Sequence, residues 1–478
     1  MKKIIIFAVV AAFCLYACSE AMHKKTITGN RYFCYNDSTD AACSTLPDSV
    51  LESISLGYAT DSTTANDSAK QTPLDLFSWQ TFIALNWPAD QNGNPTGDIF
   101  TDNTSPRVWE HYTDPKEVFN NDGGTLILHL SMAKKSSKKF FYMFSKSPHD
   151  PLTNAGKITG FREADGNPLI DRNSNFTLYE IKLNSVEDTF ITNNKLVTDS
   201  GIYNYAVKNK TSTLVFPSSI TGSSPGTIEI KASWRILTNA DDTSRYFCRD
   251  AEIYIDSEHT VNHKTLIVPH VKVGLVGMHI IRNTPILNQQ LIWSSFEHID
   301  NAPDSGATID TSVRWSYYNP HCTNCAVNTP PPYVIDKNKF IWDTVQPYAG
   351  LYKSAMNGSG SQVMRVNKIP GNTAQVNRKW QEKMKKSVWA NYKLVGTQWQ
   401  FGNPGDNVGS AVSAPPLMAN TTLETYLQHS ASCIGCHAGA EITYTPPLLK
   451  PVPGALKPTA VDTITTGFSF VLAFGAHK

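Results

Sequence analysis

The stretch Cys433-Ile434-Gly435-Cys436-His437 constrains this chain more than any other, because it places two thiols and an imidazole on about one turn of backbone. Two cysteines three positions apart, with a histidine directly after the second, form the covalent attachment motif for haem c. Each thiol adds across one vinyl group of the porphyrin, and the histidine is held where its imidazole can become an axial ligand of the iron. The motif therefore predicts haem attachment at Cys433 and Cys436, and iron ligation by His437.

Two other uses of this cysteine pair stay open on the residues alone. The pair would also suit a plain disulfide, or it would supply two of the ligands of a zinc ion. A structural zinc site has four protein ligands, so zinc would require a second ligand pair nearby.

The amino terminus predicts export. Lys2 and Lys3 precede an apolar run over residues 4–17, and Cys18 follows. Such a run is shorter than the roughly 20 residues that span a bilayer, and it is typical of a secretory signal. Residues 15–18 resemble a bacterial lipobox, so we expect cleavage before Cys18 and a lipid anchor on that cysteine, with an ordinary cleaved signal as the alternative. Either way the mature chain would lie in the periplasm or at the cell envelope, where haem c is attached.

Charge and composition set the remaining limits. Lys plus Arg number 42 and Asp plus Glu number 41, so the chain has no basic field that would attract nucleic acid. Residues 27–71 are rich in Ser, Thr, Asp and Asn, which is typical of a solvated tether. The expected division is a signal peptide at 1–17, a flexible polar tether at 18–72, a β-rich body at 73–415 and a haem-attachment segment at 416–478.

Beyond the tether, apolar and polar residues mostly alternate, which is typical of β-strands. In Ile228–Ile236 every even position is apolar while Glu229, Lys231 and Arg235 occupy odd positions, so this stretch predicts a strand with one solvated face. Similar patterns predict strands at residues 125–132, 139–146, 176–184, 251–256, 264–282, 291–300 and 313–318. The expected fold class is α+β, with a sheet-dominated body, a few helices and a cytochrome c-like carboxyl-terminal segment packed against it.

Two helices are predicted inside the body. Pro73 suits the first turn of one helix, which would end before Pro88. The other has an apolar residue at every fourth position from Val376 to Tyr392. Its opposite face is basic, which indicates either a solvated surface or a docking patch for an acidic redox partner.

A third helix is predicted just before the haem motif. Thr421-Thr422-Leu423-Glu424 has the form of a capping box, in which the threonine hydroxyl accepts from the glutamate amide and the glutamate side chain returns a bond. The helix would run through Leu427 towards the attachment cysteines, as in cytochromes c.

The short tail after the motif limits the choice of a sixth iron ligand. Only 41 residues follow His437 and none is a methionine, so that ligand must come from upstream or from the terminal His477. Met418 would lie about 18 Å from the cysteines along the predicted helix unless the chain doubles back. The candidates in the body are Met278, His279 and His298, of which we prefer His279. A tail this short predicts that the haem packs against the body.

If Cys18 is lipidated, five cysteines remain outside the motif, namely Cys34, Cys43, Cys248, Cys322 and Cys325. In an oxidising compartment, Cys34 is expected to pair with Cys43. Cys322 and Cys325 are expected to form a second disulfide, with metal binding or redox chemistry as alternatives. Cys248 would then be free and buried.

Several segments resemble those of large bacterial proteins known only as cytochrome c family proteins, which carry one haem motif near the carboxyl end of a long body. The segments are SWQTFIALNWP at 78–88, KASWR at 231–235, GMHI at 277–280, FEHIDN at 296–301, SVWANY at 387–392 and the whole of 420–437. The resemblance implies haem binding and electron transfer, and it carries over Cys433, Cys436 and His437. It implies no substrate and no sixth ligand.

The sequence therefore predicts a membrane-anchored c-type cytochrome that passes single electrons to redox partner proteins. The alternative is a peroxidase- or oxygenase-like haem enzyme with an open sixth iron position, in which His279 and His298 would assist. A body of this size is larger than a simple electron carrier needs, so the enzyme hypothesis stays open. A binding module with Trp-rich strands is a third class. No serine triad, phosphate loop or nicotinamide fingerprint is present.

Overall fold

The structure is a computed structural model that describes residues 42–47, 68–119, 132, 138–143, 167–220, 223–255, 257, 264–284, 290–330, 360–401, 412–444, 462–467 and 469–474. The signal peptide, Cys18, Cys34, His477 and nearly all of the strand predicted at 125–132 lie outside these ranges. Among the helices within them, none is both long enough and apolar enough to cross a membrane.

The described chain combines a few helices with many strands. The helices are α1 (Ser68–Leu85), α2 (Pro115–Phe119), α3 (Ser185–Asn193), α4 (Asp199–Asn209), α5 (Gly371–Lys383) and α6 (Cys433–His437). The strands are β1 (Lys139–Met143), β2 (Leu178–Leu183), β3 (Ile228–Ile236), β4 (Cys248–Ile255), β5 (Leu266–Thr284), β6 (Gln290–His298), β7 (Tyr392–Phe401), β8 (Val412–Ala414), β9 (Glu441–Tyr444) and β10 (Asp462–Thr465). The predicted mixture of helices with a sheet-dominated body is confirmed.

Eight of these strands form one sheet around the long strand β5. Pairing follows the order β1-β4-β5-β6-β7-β8, while β3 also pairs with β5 and carries β2 on its other side. The β1–β4 pair is parallel, and the other described pairs of this sheet are antiparallel. Strands β9 and β10 form a separate antiparallel pair. Because β5 pairs along most of its 19 residues, it fixes the register of the body.

Strand β3 spans Ile228–Ile236, the range predicted from its alternation. The prediction of one solvated face is wrong, because Ser233 and Arg235 are buried. Arg235 makes a 2.8 Å ion pair with Asp171, and the Ser233 hydroxyl lies 2.7 Å from that of Thr422. Distant segments cover this face, and polar partners compensate for the burial of its side chains.

The larger core lies between one face of the sheet and the helices α1 and α5. Trp79 of α1 stacks on Trp380 of α5 with ring centroids 5.8 Å apart, and Phe82 stacks on Phe296 of β6 at 4.1 Å. All four rings are fully buried. Large aromatic side chains remove much apolar area from water, so this cluster is a main source of the stability of the body.

A second core joins the end of the chain to the body. Ile442 of β9, Ile464 of β10 and Leu472 pack in one buried cluster with Ile191 of α3 and Ile202 of α4. The described part of the tail therefore shares a hydrophobic core with elements from residues 181–216.

Three predicted elements need correction. Helix α1 begins at Ser68, so Pro73 lies inside it and the predicted tether ends before residue 72. Helix α5 ends at Lys383, and the chain then forms a 3-10 turn at Val388–Asn391 and strand β7. The four-residue apolar spacing persists past the helix because Met384 and Val388 enter the same core. Residues 313–318 form bends and irregular backbone rather than a strand.

The cysteines outside the motif follow the predicted pairing where they are described. Cys322 and Cys325 form a disulfide, as expected. Cys43 is disulfide-bonded, and its expected partner Cys34 lies outside the described residues. Cys248 is free but half-buried rather than buried. Burial raises the pKa of its thiol to about 11, so the thiol stays protonated at neutral pH.

Candidate functional site

Helix α6 consists of the motif residues 433–437 alone and lies on the face of the sheet opposite α1 and α5. The Ser432 hydroxyl caps it by accepting a 3.1 Å bond from the amide of Gly435. Ile434 is fully buried, whereas Cys433 is half-buried and Cys436 is exposed. The single turn therefore points its isoleucine at the sheet and leaves both thiols free.

Gln398 of β7 fastens this helix to the sheet. Its buried amide accepts a 3.1 Å bond from the backbone amide of Ile434. The same amide group donates to the Ser432 hydroxyl at 3.1 Å and to the Pro415 carbonyl at 2.5 Å. One side chain thus satisfies helix and loop groups that burial would otherwise leave unpaired, and each such bond contributes about 1 kcal/mol.

Apolar side chains from three strands line the sheet beneath the motif. The cluster consists of Ile281, Leu291, Trp293, Val395, Met418 and Ile434, with Cys433 packed against it. The imidazole of His437 lies near two aromatic rings, with centroid distances of 6.0 Å to Trp293 and 5.2 Å to Phe470. These rings restrict the orientation of His437 and shield part of it from water.

Both motif thiols are held in the protonated form. Burial raises the pKa of Cys433 well above its usual value, and the nearby Glu424 carboxylate and Cys436 raise it further. Burial also raises the pKa of Cys436. In the described ranges, no group of three or more His, Cys, Asp or Glu side chains is arranged to hold a metal ion.

The chain before the motif, residues 418–428, is named the anchor segment here. It was predicted to be a helix, but it forms turns and a short 3-10 helix at Thr425–Leu427. The amide of Met418 donates a 2.9 Å bond to the carbonyl of Ala431, so the chain doubles back. The separation of about 18 Å was expected only if the chain did not double back. Because it does double back, Met418 packs in the same cluster as Ile434.

Glu297 of β6 explains why the predicted capping box does not form. Its carboxylate accepts bonds from the amide and the hydroxyl of Thr421, at 3.0 and 2.7 Å. It also pairs with the Arg365 guanidinium and lies 3.3 Å from the Lys393 ammonium. Burial alone would raise the pKa of Glu297, but these charges and hydrogen bonds lower it to about 2. The threonine that would cap a helix is bound to the sheet instead.

The rest of the anchor segment lies directly on the sheet. The side-chain amide of Asn420 donates a 2.7 Å bond to the carbonyl of Phe296, and the Thr422 hydroxyl contacts Ser233. A Cβ atom at Gly277 would lie 2.3 Å from the Thr422 hydroxyl oxygen. Gly277 is needed for this close approach of two segments far apart in sequence.

The structure separates the four candidates for the sixth iron ligand. His279 lies on the motif face of β5, two residues from Ile281, and its Nε2 is 3.4 Å from a carboxylate oxygen of Glu424. Burial alone would raise the pKa of Glu424, but His279 and the more distant Lys231 hold it below its usual value. Glu424 in turn raises the pKa of both motif thiols.

Met278 and His298 belong to the other face of the sheet. Met278 is buried in the larger core, 3.8 Å from the side-chain nitrogen of Asn86. His298 is also fully buried, and burial lowers its pKa to about 4. Its Nε2 lies 2.9 Å from the Arg245 carbonyl and its Nδ1 is 3.2 Å from the Asp300 amide, so both ring nitrogens are engaged. Neither residue is positioned to act at the motif.

The basic face of α5 is exposed but remote from the motif. Arg378, Lys379, Lys385 and Lys386 face solvent, while Lys383 packs over the Trp380 ring. Helix α5 covers the larger core, on the opposite side of the sheet from α6. The arrangement favours the solvated-surface interpretation over a docking patch beside the motif.

Three residues that organise the site were missed from the sequence. Gln398 lies on a strand that was not predicted, although the β-branched and aromatic residues Tyr392, Val395, Thr397 and Trp399 were a usable signal. Glu297 and Gly277 lie in predicted strands, but their partners in the anchor segment are more than 100 residues away. The chain matches no family model, no curated protein and no solved structure. Function is therefore inferred from the residues of the site.

Proposed function

We propose that this protein is a c-type cytochrome that carries one haem on Cys433 and Cys436 and transfers single electrons. The supporting observation is the single turn of α6, which presents two free thiols and an imidazole from a rigid sheet. These residues fit a haem, because they offer two thiols for attachment, one imidazole nitrogen for the iron and an adjoining apolar cluster. In this proposal the carboxyl-terminal segment is a cytochrome c-like unit packed against a β-rich body.

Each residue of the site has a physical task in this proposal. The thiols of Cys433 and Cys436 would form the two thioether links, and the imidazole of His437 would be a ligand of the iron. Trp293 and Phe470 keep the imidazole in one orientation, while Gln398 holds the helix in place. When bound, the haem supplies an iron that cycles between ferric and ferrous states. A site held rigidly by buried contacts reorganises little during that cycle.

The proposal extends to location and partners. Export by the signal peptide and a lipid on Cys18 would hold the cytochrome at a membrane facing the periplasm or cell envelope. The partners would be redox proteins of that compartment. A polar tether ahead of α1 would allow the body to reach them.

The decisive experiment is mass spectrometry of the exported protein, produced in a host that attaches haem c. The wild-type chain is expected to carry the mass of one haem after denaturation, because thioether links survive unfolding. C433S/C436S is expected to lose it. C248S is the matched control, since Cys248 is also a half-buried free thiol, and it is expected to keep the haem. A wild-type chain without covalent tetrapyrrole would refute the proposal.

Absorption spectra of the haem-loaded protein then distinguish carrier from enzyme. A carrier is expected to be six-coordinate and low-spin in both redox states and to bind carbon monoxide slowly. Rapid binding of carbon monoxide by the reduced protein would contradict the carrier and favour a haem enzyme with an open sixth position.

A further inference from the structure

We infer that His279 is the second axial ligand of the haem iron and that Glu424 positions its imidazole. The inference rests on the proposed function, since it assigns a residue of the same site. Neither residue is part of the attachment motif.

The register of the sheet brings His279 to the motif. On β5, His279 pairs with Ser295 of β6, and Ile281 pairs with Trp293. Side chains two positions apart on a strand share a face and stand about 7 Å apart. His279 is therefore a neighbour of Trp293, whose indole contacts the His437 ring. Both imidazoles thus border one patch of the sheet.

Glu424 provides the second, independent observation. Its carboxylate lies 3.4 Å from the Nε2 of His279. Glu424 belongs to the anchor segment, which leads into the motif, so this contact ties the histidine to that part of the chain. A carboxylate beside one ring nitrogen restrains the ring and increases the basicity of the other nitrogen, which is how carboxylates support metal-binding histidines. The His279 side chain is 11% exposed.

The other candidate ligands of the iron lie elsewhere or face away from the motif. Met278 and His298 lie across the sheet. Met418 lies beneath α6, with its sulfur 3.1 Å from the position of a Cβ at Gly396, so it faces the sheet. His429 is exposed and borders a cavity of about 310 Å³ with Met364 and Tyr426, on the other side of the anchor segment. Within the described ranges, His279 is the histidine held at the edge of the motif.

Absorption and electron paramagnetic resonance spectra of four haem-loaded proteins test the assignment. Wild type and M418L are expected to be six-coordinate and low-spin, and M278L, a buried methionine on the other face, is the matched control. H279A is expected to become high-spin, to bind carbon monoxide rapidly and to return to low-spin when imidazole is added. Low-spin H279A would overturn the assignment. So would a high-spin spectrum in M418L, which would make Met418 the ligand.

Two further variants keep the test decisive if H279A does not fold. H279M substitutes another iron ligand, so it is expected to remain low-spin with a higher midpoint potential, and an unchanged potential would contradict the inference. E424Q is expected to remain low-spin with a raised potential, because it removes a negative charge from the ligating histidine; no change in potential would contradict the positioning role. Failure of the proposed function is distinct from these outcomes, since it appears as missing haem in the mass spectrum.

Discussion

Replacing Glu297 by glutamine should release the anchor segment from the sheet. The carboxylate is fully buried among Arg365, Lys393 and Thr421. Its pKa falls from 4.5 to about 2, since these partners outweigh the effect of burial. A lowering of about 2.5 corresponds to about 3 kcal/mol at 1.36 kcal/mol per pKa unit. We expect E297Q to lose about 3 kcal/mol of unfolding free energy near neutral pH, because Arg365 keeps a buried charge without its anion.

The sign of the pH dependence gives a second check on the same variant. A depressed carboxyl pKa stabilises the fold above the unfolded value of 4.5, and this stability is lost as the pH falls from 4.5 towards 2. The difference between wild type and E297Q should therefore shrink over that range. Urea denaturation followed by tryptophan fluorescence measures both free energies.

The control is E382Q, because Glu382 forms an exposed pair with Lys385 at the end of α5. We expect this surface change to alter the stability by less than about 0.5 kcal/mol. Equal stabilities of E297Q and E382Q near neutral pH would refute the reasoning that the buried carboxylate holds the anchor segment.

Two other substitutions test the packing and the buried charges of the body. Gly277→Ala places a methyl group 2.3 Å from the Thr422 hydroxyl oxygen and should lower the unfolding free energy measured in urea by about 1–3 kcal/mol. In the control Gly371→Ala the new methyl group has no atom within 4 Å, so this variant should not be destabilised. Equal urea midpoints of the two variants would argue against the close contact at Gly277. Glu187 is buried without a hydrogen-bond partner for its carboxylate among the described residues, and burial, with the Glu229 and Asp188 charges, raises its pKa well above 4.5. The contribution of the protonated Glu187 to the unfolding free energy is complete below pH 4.5. It falls by up to about 1.4 kcal/mol per pH unit as the pH rises towards the pKa of the folded state. E187Q should flatten the rise and fall of stability with pH above about pH 4.5, and an unchanged slope there would count against this account.

Local patterns in the sequence were sufficient for the features that depend on neighbouring residues. Alternation over nine residues placed β3 at Ile228–Ile236, because a strand has a side-chain period of two. The spacing of Cys433, Cys436 and His437 likewise put two thiols and an imidazole on one turn. These features need no knowledge of the rest of the fold.

The surroundings of the motif depend on contacts between distant segments. A capping box contributes about 1 kcal/mol, so it is a weak local preference. Thr421 instead bonds to Glu297, 124 residues earlier, in a buried site where a charged partner makes hydrogen bonds stronger. That contact bends the anchor segment, and the bend brings Met418 under α6 and Glu424 beside His279.

The sequence by itself thus predicted which residues would attach a haem, because covalent chemistry needs only their identity and spacing. Tertiary structure decided which residues stand around them, since the register of β5 and β6 places His279 and Trp293 on the motif face and Met278 on the other. A period of two predicts that neighbours face opposite sides, but only packing determines which side receives the motif.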